Sequence, residues 1–354
     1  MRVLVTGHHG YIGAVLVRTL TAAGYDVVGL DSDFFVQNRF LGEVVEARSL
    51  IKDLRDIELE DLRGINAVLH LAALSNDPLG DLNAHLTYEI NYHGSMRLAR
   101  LAKQAGVARF LFSSSCSMYG AAGSEMLTEE APFNPVTPYA DSKVLVERDL
   151  RSLADAGFSP VFLRNTTAYG VSPFMRFDVV LNNLVAWAFA TGRVLIQSDG
   201  TPWRPLVHIE DICRAFLAAL EAPTAVVHNQ AFNVGATEEN YQVRDLAAIV
   251  RETVPGCHIE YSPGGGPDPR SYRVDFSKLK SHLPGFAPQW NVRRGAQEMF
   301  QACRDANLRV EDFEGPRFKR IAQIREHWAA GRLDSQLRWS STPSPAIASA
   351  AVVL

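Results

Sequence analysis

Met1-Arg2-Val3-Leu4-Val5-Thr6-Gly7-His8-His9-Gly10-Tyr11-Ile12-Gly13 opens the chain, and an apolar run from Ala14 follows it. An apolar stretch of strand length that halts at glycine and resumes as a helical pattern lets the backbone approach a pyrophosphate at a helix amino terminus. Gly7, Gly10 and Gly13, with Tyr11 and Ile12 in the same turn, are the residues placed for this. His8 and His9 read as solvent-facing fillers of the turn rather than phosphate donors. Three spaced glycines are weak evidence alone, so the next strand matters. Asp31 ends the stretch Asp26–Leu30, where an acid accepts hydrogen bonds from an adenosine ribose. A carboxylate there disfavours a 2′-phosphate, and Ser32 and Asp33 follow it rather than arginine, so NAD is expected over NADP.

Further along, Arg2–Thr6, Asp26–Leu30, Ala67–Leu71, Arg109–Phe112 and Pro160–Leu163 read as strands. Ala14–Ala23, Leu86–Gln104 and Ser142–Ala156 carry apolar residues at helical spacing. Such alternation implies an α/β fold, a Rossmann-type doubly wound parallel sheet. Asp53, with Leu54 beside it, follows a third strand and is a candidate to meet adenine. Leu71, Ala72 and Ala73 end the next strand with residues small enough for the cofactor to pass close to the backbone. Beyond residue 170, prolines and glycines punctuate shorter elements. The expected division is residues 1–170 and about 207–235 for the NAD-binding domain, and about 171–206 and 236–339 for a smaller, discontinuous α/β substrate-binding domain. Residues 340–354 read as a mobile tail.

Composition excludes several functions. A 354-residue chain with 47% hydrophobic and 21% charged residues has an ordinary globular balance and enough core to enclose a large cofactor. A net charge of −4 offers no broad basic surface, so nucleic acid is not expected as a partner. The longest apolar stretches, Ala67–Leu74 and Val179–Ala190, fall short of the roughly 20 residues of a membrane span. Because a strand begins at the first residues, no signal peptide is expected and the location is read as cytoplasmic. Cys116, Cys213, Cys257 and Cys303 show no metal-ligand spacing, so reduced thiols and no metal are expected.

The chemistry resides in Tyr139-Ala140-Asp141-Ser142-Lys143, preceded by Ser113-Ser114-Ser115. Residues four apart share a helix face, so the Lys143 ammonium can approach the Tyr139 hydroxyl and favour its phenolate, lowering a pKa that is ordinarily about 10. Tyrosine then becomes a usable base near neutrality.

With these residues in order, the chain resembles the extended short-chain dehydrogenase/reductase family, specifically its nucleotide-sugar epimerases and dehydratases. The likeness covers roughly residues 1–300. It rests also on Asn91-Tyr92-His93-Gly94, Ser113–Gly120, Leu163-Arg164-Asn165 with Tyr169-Gly170, and Val207–Asp211. The resemblance implies bound NAD with Asn91 and Ser113 among its contacts, a nucleotide-sugar substrate, and a homodimer built on Leu86–Gln104 and Tyr139–Ala156. It also implies that Tyr139 takes the proton of a sugar hydroxyl, Ser115 hydrogen-bonds the same oxygen and Lys143 holds the nicotinamide ribose. Ser115, Ser117, Asn165, Asn183, Arg204 and Arg270 are the candidate substrate contacts.

Departures from the family pattern narrow the reaction. Dehydratases carry an Asp-Glu pair directly after the serine, whereas this chain has Cys116-Ser117. In an extended segment alternate side chains share a face, so Ser115 and Ser117 look into the site and Cys116 becomes a core filler. The family's Arg-Pro-Gly-Asp is broken at Gly266-Pro267-Asp268, leaving Arg270 or Arg273 to substitute. Arg176 either reaches substrate or forms a surface pair. The leading expectation is an epimerase working by transient oxidation at carbon 4. A net NAD(P)H-dependent keto-sugar reductase would use the same residues, and a non-catalytic dinucleotide sensor is disfavoured by the retained Tyr139 and Lys143.

Overall fold

A computed structural model describes residues 1–75, 83–123, 125–263 and 270–340. The Gly266-Pro267-Asp268 departure, most of the 264–273 loop and the tail from 341 lie outside these described residues. Seven strands form the main sheet: β1 (Arg2–Thr6), β2 (Asp26–Asp31), β3 (Arg48–Ile51), β4 (Ala67–His70), β5 (Arg109–Ser115), β6 (Ser159–Asn165) and β7 (Ala231–Val234). Their order across the sheet is β7-β6-β5-β4-β1-β2-β3, with every pair parallel. The order reverses between β1 and β4, and in such sheets ligands bind beyond the carboxyl ends of the strands at that switch point.

Central strands are apolar throughout because both faces are covered. On one face α1 (Gly13–Ala22) sets Val15, Leu16 and Leu20 in a shared core with Ile212 and Phe216 of a helix at Ile209–Glu221. Across the sheet, α2 (Ser95–Gln104) and α3 (Pro138–Arg151) cover Leu4, Phe110 and Phe162 with Leu98, Ala102, Val146 and Leu150. The helix α3 begins earlier than Ser142, at Pro138. Thr137 caps it by accepting from the Ala140 amide at 3.2 Å, and a proline suits the first helical position. Tyr139 therefore sits in the first turn. Within the sheet-facing side of α3, Glu147 receives Arg164 of β6 in a bidentate pair, Nε to Oε1 at 3.0 Å and Nη2 to Oε2 at 2.8 Å. Both side chains are buried.

The expected helix Leu86–Gln104 is interrupted by π-helical turns at Tyr88–Gly94. A widened turn of this kind redirects side chains. Here it turns Asn91 inward against the loop that follows β4.

A second lobe is built on α4 (Val180–Thr191), α5 (Val243–Thr253) and α6 (Val292–Asp305), with Arg193–Ile196 paired parallel to His258–Tyr261. The end of the chain departs from the expected division at 339. Helix α7 (Arg320–Ala329) and the residues after it return to the first lobe, packing Ile324, Leu333 and Leu337 against Phe34, Leu74 and Leu86. Trp339 Nε1 donates to the Ser32 carbonyl at 2.6 Å. Among the described residues no helix is long and apolar enough to cross a membrane, and no cluster of three His, Cys, Asp or Glu side chains could hold a metal.

Candidate active site

Beyond the carboxyl ends of β1, β4 and β5 opens a cavity of about 850 Å³, running from Asp31 at one end to Arg204 and Arg270 at the other. That is at the large end of the range for small-molecule sites. Gly7, Gly10, Tyr11, Ile12, Gly13, Asp31, Asp53, Leu54, Leu71, Ala72, Ala73, Ser113, Ser115, Ser117, Tyr139, Lys143, Asn165, Asn183, Arg204 and Arg270 all line it.

The glycine turn is too tight for side chains. A Cβ on Gly13 would lie 2.0 Å from the Gly7 carbonyl oxygen, and one on Gly10 would lie 2.9 Å from it. Gly7 itself has φ +74° and packs on the Ala72 amide. With side chains excluded, the backbone of the turn from Gly10 to Gly13 forms the cavity wall at the start of α1, the place where a helix terminus favours a diphosphate. Gly13→Ala is therefore expected to cut the NAD recovered from purified protein about tenfold or more, since forced overpacking costs about 1–3 kcal/mol. Mass spectrometry of the denatured protein reads this directly, and full retention of NAD would refute the cradle.

His8 is not solvent-facing, while His9 is half-buried at the cavity wall. His8 is buried beneath β2, where a Cβ on Gly29 would meet its ring at 2.1 Å, and its Nε2 lies 2.8 Å from Ser49 Oγ. His9 Nδ1 is 2.6 Å from the Asp33 carboxylate. Burial opposes charge on His9, but Asp33 and then Asp31 outweigh it and raise its pKa. Asp31 accepts from the His9 amide at 3.1 Å and the Asp33 amide at 3.0 Å, which fixes its carboxylate at the cavity wall.

Asp53 reaches the cavity but its carboxylate is held by Arg55, with Nη2 to Oδ2 at 2.6 Å, while it caps a short helical turn. Asn91 does not line the cavity. Its Oδ1 accepts from the Leu74 amide at 2.8 Å and its Nδ2 donates to the Leu74 carbonyl at 3.1 Å, so it holds the start of the loop that follows β4. The small residues before that loop are held by Thr6, whose Oγ1 accepts from the Ala72 amide at 3.1 Å. His70 beneath them is kept neutral, its pKa pulled down to about 3 by burial and by Lys143.

At the centre, Lys143 Nζ donates to the Ser113 carbonyl at 2.7 Å and lies 5.6 Å from the centroid of the Tyr139 ring. The ammonium thus lies beneath the tyrosine. Burial pulls the Lys143 pKa down to about 7, with Glu147 opposing. An anion forming at Tyr139 would restore the charged form. Ser115 Oγ accepts from Ser117 Oγ at 2.9 Å and from the Ser117 amide at 3.2 Å. Next to it, Asn165 Nδ2 donates to Ser113 Oγ at 3.0 Å, while Asn165 Oδ1 is buried without a partner. The parallel register sets Ser115 opposite Asn165. Cys116 turns away into the core, with Sγ 3.1 Å from the Arg164 carbonyl, and burial raises its thiol well above the usual range.

At the far end Arg204 Nη1 donates to the Trp203 carbonyl at 2.9 Å and also to that of Arg270. Arg270 faces the cavity, whereas Arg273 stacks over Trp203 at 4.7 Å. Asn183 lines the cavity while Asn182 is buried, donating to the Tyr11 hydroxyl at 2.9 Å. Arg176 also lines it, paired with Asp178 at 2.9 Å. Sequence reasoning missed Phe313, Phe318, Lys319 and Arg320, which line the cavity from the carboxy-terminal segment.

A sequence model of the NAD dependent epimerase/dehydratase family matches residues 3–235. UDP-glucose 4-epimerase of Mycolicibacterium smegmatis is 31% identical over 319 residues, which span 86% of this chain and 99% of that one. Among solved structures, MoeE5 in complex with UDP-glucuronic acid and NAD is 30% identical with a TM-score of 0.73, covering 86% of this chain and 99% of the other. UDP-glucose 4-epimerase of Thermotoga maritima with UDP-glucose is 26% identical with a TM-score of 0.75, over 86% and 99% of the two chains.

Proposed function

Because the chain belongs to the NAD-dependent epimerase/dehydratase family, we propose that it inverts carbon 4 of a nucleotide sugar, with NAD retained through the cycle. One observation carries the choice of reaction. Among the described residues Tyr139, Lys143 and Ser115 stand together as a set suited to moving a hydroxyl proton, and hydroxyls rather than carboxylates stand at Ser115 and Ser117. Eliminating water from a sugar needs a further acid and base, and no carboxylate adjoins this serine pair in the chain. Relatives named UDP-glucose 4-epimerase support the same reading.

NAD, when bound, supplies a hydride acceptor that later becomes the donor. Gly7, Gly10, Gly13 and Asp31 would hold its diphosphate and adenosine ribose. Lys143 beneath Tyr139 stabilises its phenolate form, and that phenolate takes the proton from the sugar hydroxyl and becomes the neutral phenol. Ser115 holds that oxygen in line. Asn165 Oδ1 offers an acceptor to a sugar hydroxyl, and Arg204, Arg270 and Asn183 supply the groups for the nucleotide's diphosphate. The keto sugar then turns to present its other face, and Tyr139 returns the proton.

Purified protein is expected to release NAD on denaturation and to interconvert nucleotide hexoses or pentoses differing at carbon 4 without added cofactor. Turnover only with added NADH or NADPH and a keto-sugar would establish a reductase instead. The proposal extends to a cytoplasmic homodimer joined along α2 and α3, as in the family; these helices lie side by side, with Tyr88 before α2 donating to Asp141 of α3 at 2.9 Å. Light scattering giving the mass of a single chain would remove the dimer.

A further inference from the structure

The carboxy-terminal segment that lines the cavity carries a half-buried arginine with one inner donor that its protein neighbours do not satisfy. Arg320, the first residue of α7, stacks its guanidinium 4.7 Å from the centroid of Phe35 and donates from Nη1 to Ser75 Oγ at 3.3 Å. Its Nη2 is sealed from bulk solvent and has no hydrogen-bond partner. Arg176 comes to the same loop, donating to the Ser75 carbonyl at 3.3 Å, but Arg176 has Asp178 for a counter-ion. Arg320 has no carboxylate paired with it among the described residues. Burial, followed by the repulsion of Arg176, draws its pKa down to about 10 even though Asp178 and Asp31 oppose.

A guanidinium with a buried, unused donor beside a second guanidinium is costly unless an anion joins them. A purely structural arginine would be expected to spend its donors on protein acceptors. The surroundings identify the anion. Arg320 lines the cavity together with Asp31, Phe35 and the Gly7–Gly13 turn, and Asp31 is among the charges that act on it. A diphosphate held at the Gly7–Gly13 turn would share this cavity with Arg320.

We propose that Arg320 is an anion-binding residue of the dinucleotide site, meeting the diphosphate held at the glycine turn, so that the carboxy-terminal segment holds the cofactor in place. This rests on the NAD reading above. Anchoring of the segment is independent of the arginine: Trp339 holds Ser32, His327 Nε2 contacts the Phe34 carbonyl at 3.1 Å, and Ile324 and Leu337 fill the core around Phe34. Arg320 can therefore be changed while its carrier stays docked.

The test is calorimetric titration of the full chain, stripped of nucleotide, with NAD, ADP-ribose, adenosine and UDP as probes. Arg320→Gln is expected to weaken NAD and ADP-ribose about 10–100-fold, the range of one charge-assisted hydrogen bond, and to leave adenosine and UDP unchanged. Arg320→Lys, which keeps the charge and most of the packing, is expected to fall between Arg320→Gln and the unaltered protein. A change below about twofold for NAD, or equal losses for adenosine and NAD, would assign Arg320 a structural role and overturn the inference. Weakening of UDP in place of NAD would overturn it as well, moving the arginine to the sugar-nucleotide end. If the unaltered protein binds no NAD, the cofactor reading itself fails, a result separate from any effect of the variants.

Discussion

Tyr139→Phe is expected to lower the rate of hydride exchange about 10²–10⁴-fold, the usual contribution of a positioned proton acceptor. The ring stays in the first turn of α3 under the Thr137 cap, so the helix and cavity keep their shape. Binding of the nucleotide sugar should change little, because the lost hydroxyl acts on a proton that moves only during the reaction. The sharpest readout is the absorbance of reduced nicotinamide formed when substrate is mixed with the NAD-loaded protein. Its appearance slows by the full factor in the variant, while the amount of NAD per chain stays the same. Activity within about twofold of the unaltered protein would remove Tyr139 from the mechanism. The position of Lys143 explains why the hydroxyl matters so much. Its pKa is depressed to about 7 by burial, and a phenolate directly above is the group that makes its charge favourable again.

Arg164→Met is expected to destabilise the fold by about 3–5 kcal/mol, the cost of leaving one member of a buried ion pair uncompensated. Glu147 would retain only Arg151, at 3.5 Å and half-buried at the surface. Arg164 also donates to the Tyr119 hydroxyl at 3.1 Å and the Glu129 carbonyl at 2.8 Å, so two further groups lose their donor. The measurement is the urea midpoint, with an unchanged slope reporting that stability alone has moved. Replacing both members, Arg164→Met with Glu147→Leu, is expected to recover most of the loss, because apolar pairs of similar volume substitute well for buried ion pairs. A loss below about 1 kcal/mol for Arg164→Met would refute the argument. The pair also bears on catalysis: Glu147 stands one helical turn beyond Lys143, so its anchoring to β6 sets the height of the Tyr139–Lys143 turn above the sheet.

Much of this architecture was legible because it is local. The strand-glycine-helix run of residues 1–22 and the acid at Asp31 depend on neighbours in sequence, and the alternating pattern carries the parallel character of the central sheet. Ser115 and Ser117 do line the cavity while Cys116 faces the core, but not by the strand alternation expected: β5 ends at Ser115, which caps a 3-10 turn over Cys116–Tyr119. What escaped depends on partners far along the chain. Asn91 belongs to a family motif, but a π-helical turn directs its amide at Leu74 rather than into the cavity. His8 looks like an idle turn residue until β3 brings Ser49 to its ring. The ion pair of Asp53 with Arg55 was within reach of the sequence, since the two stand two apart at a turn. Arg320 was not, because nothing near it in the chain indicates that Phe35 and Ser75 will surround it.

The return of residues 320–339 to the first lobe also orders events in time. Synthesis runs from the amino terminus, so a ribosome completes the glycine turn and Asp31 long before it makes Trp339. A nascent chain can fold its central sheet early, yet the wall beside Asp31 is finished only when almost all of the described protein has emerged. A chain truncated before α7 would keep the cradle but lose this part of its enclosure.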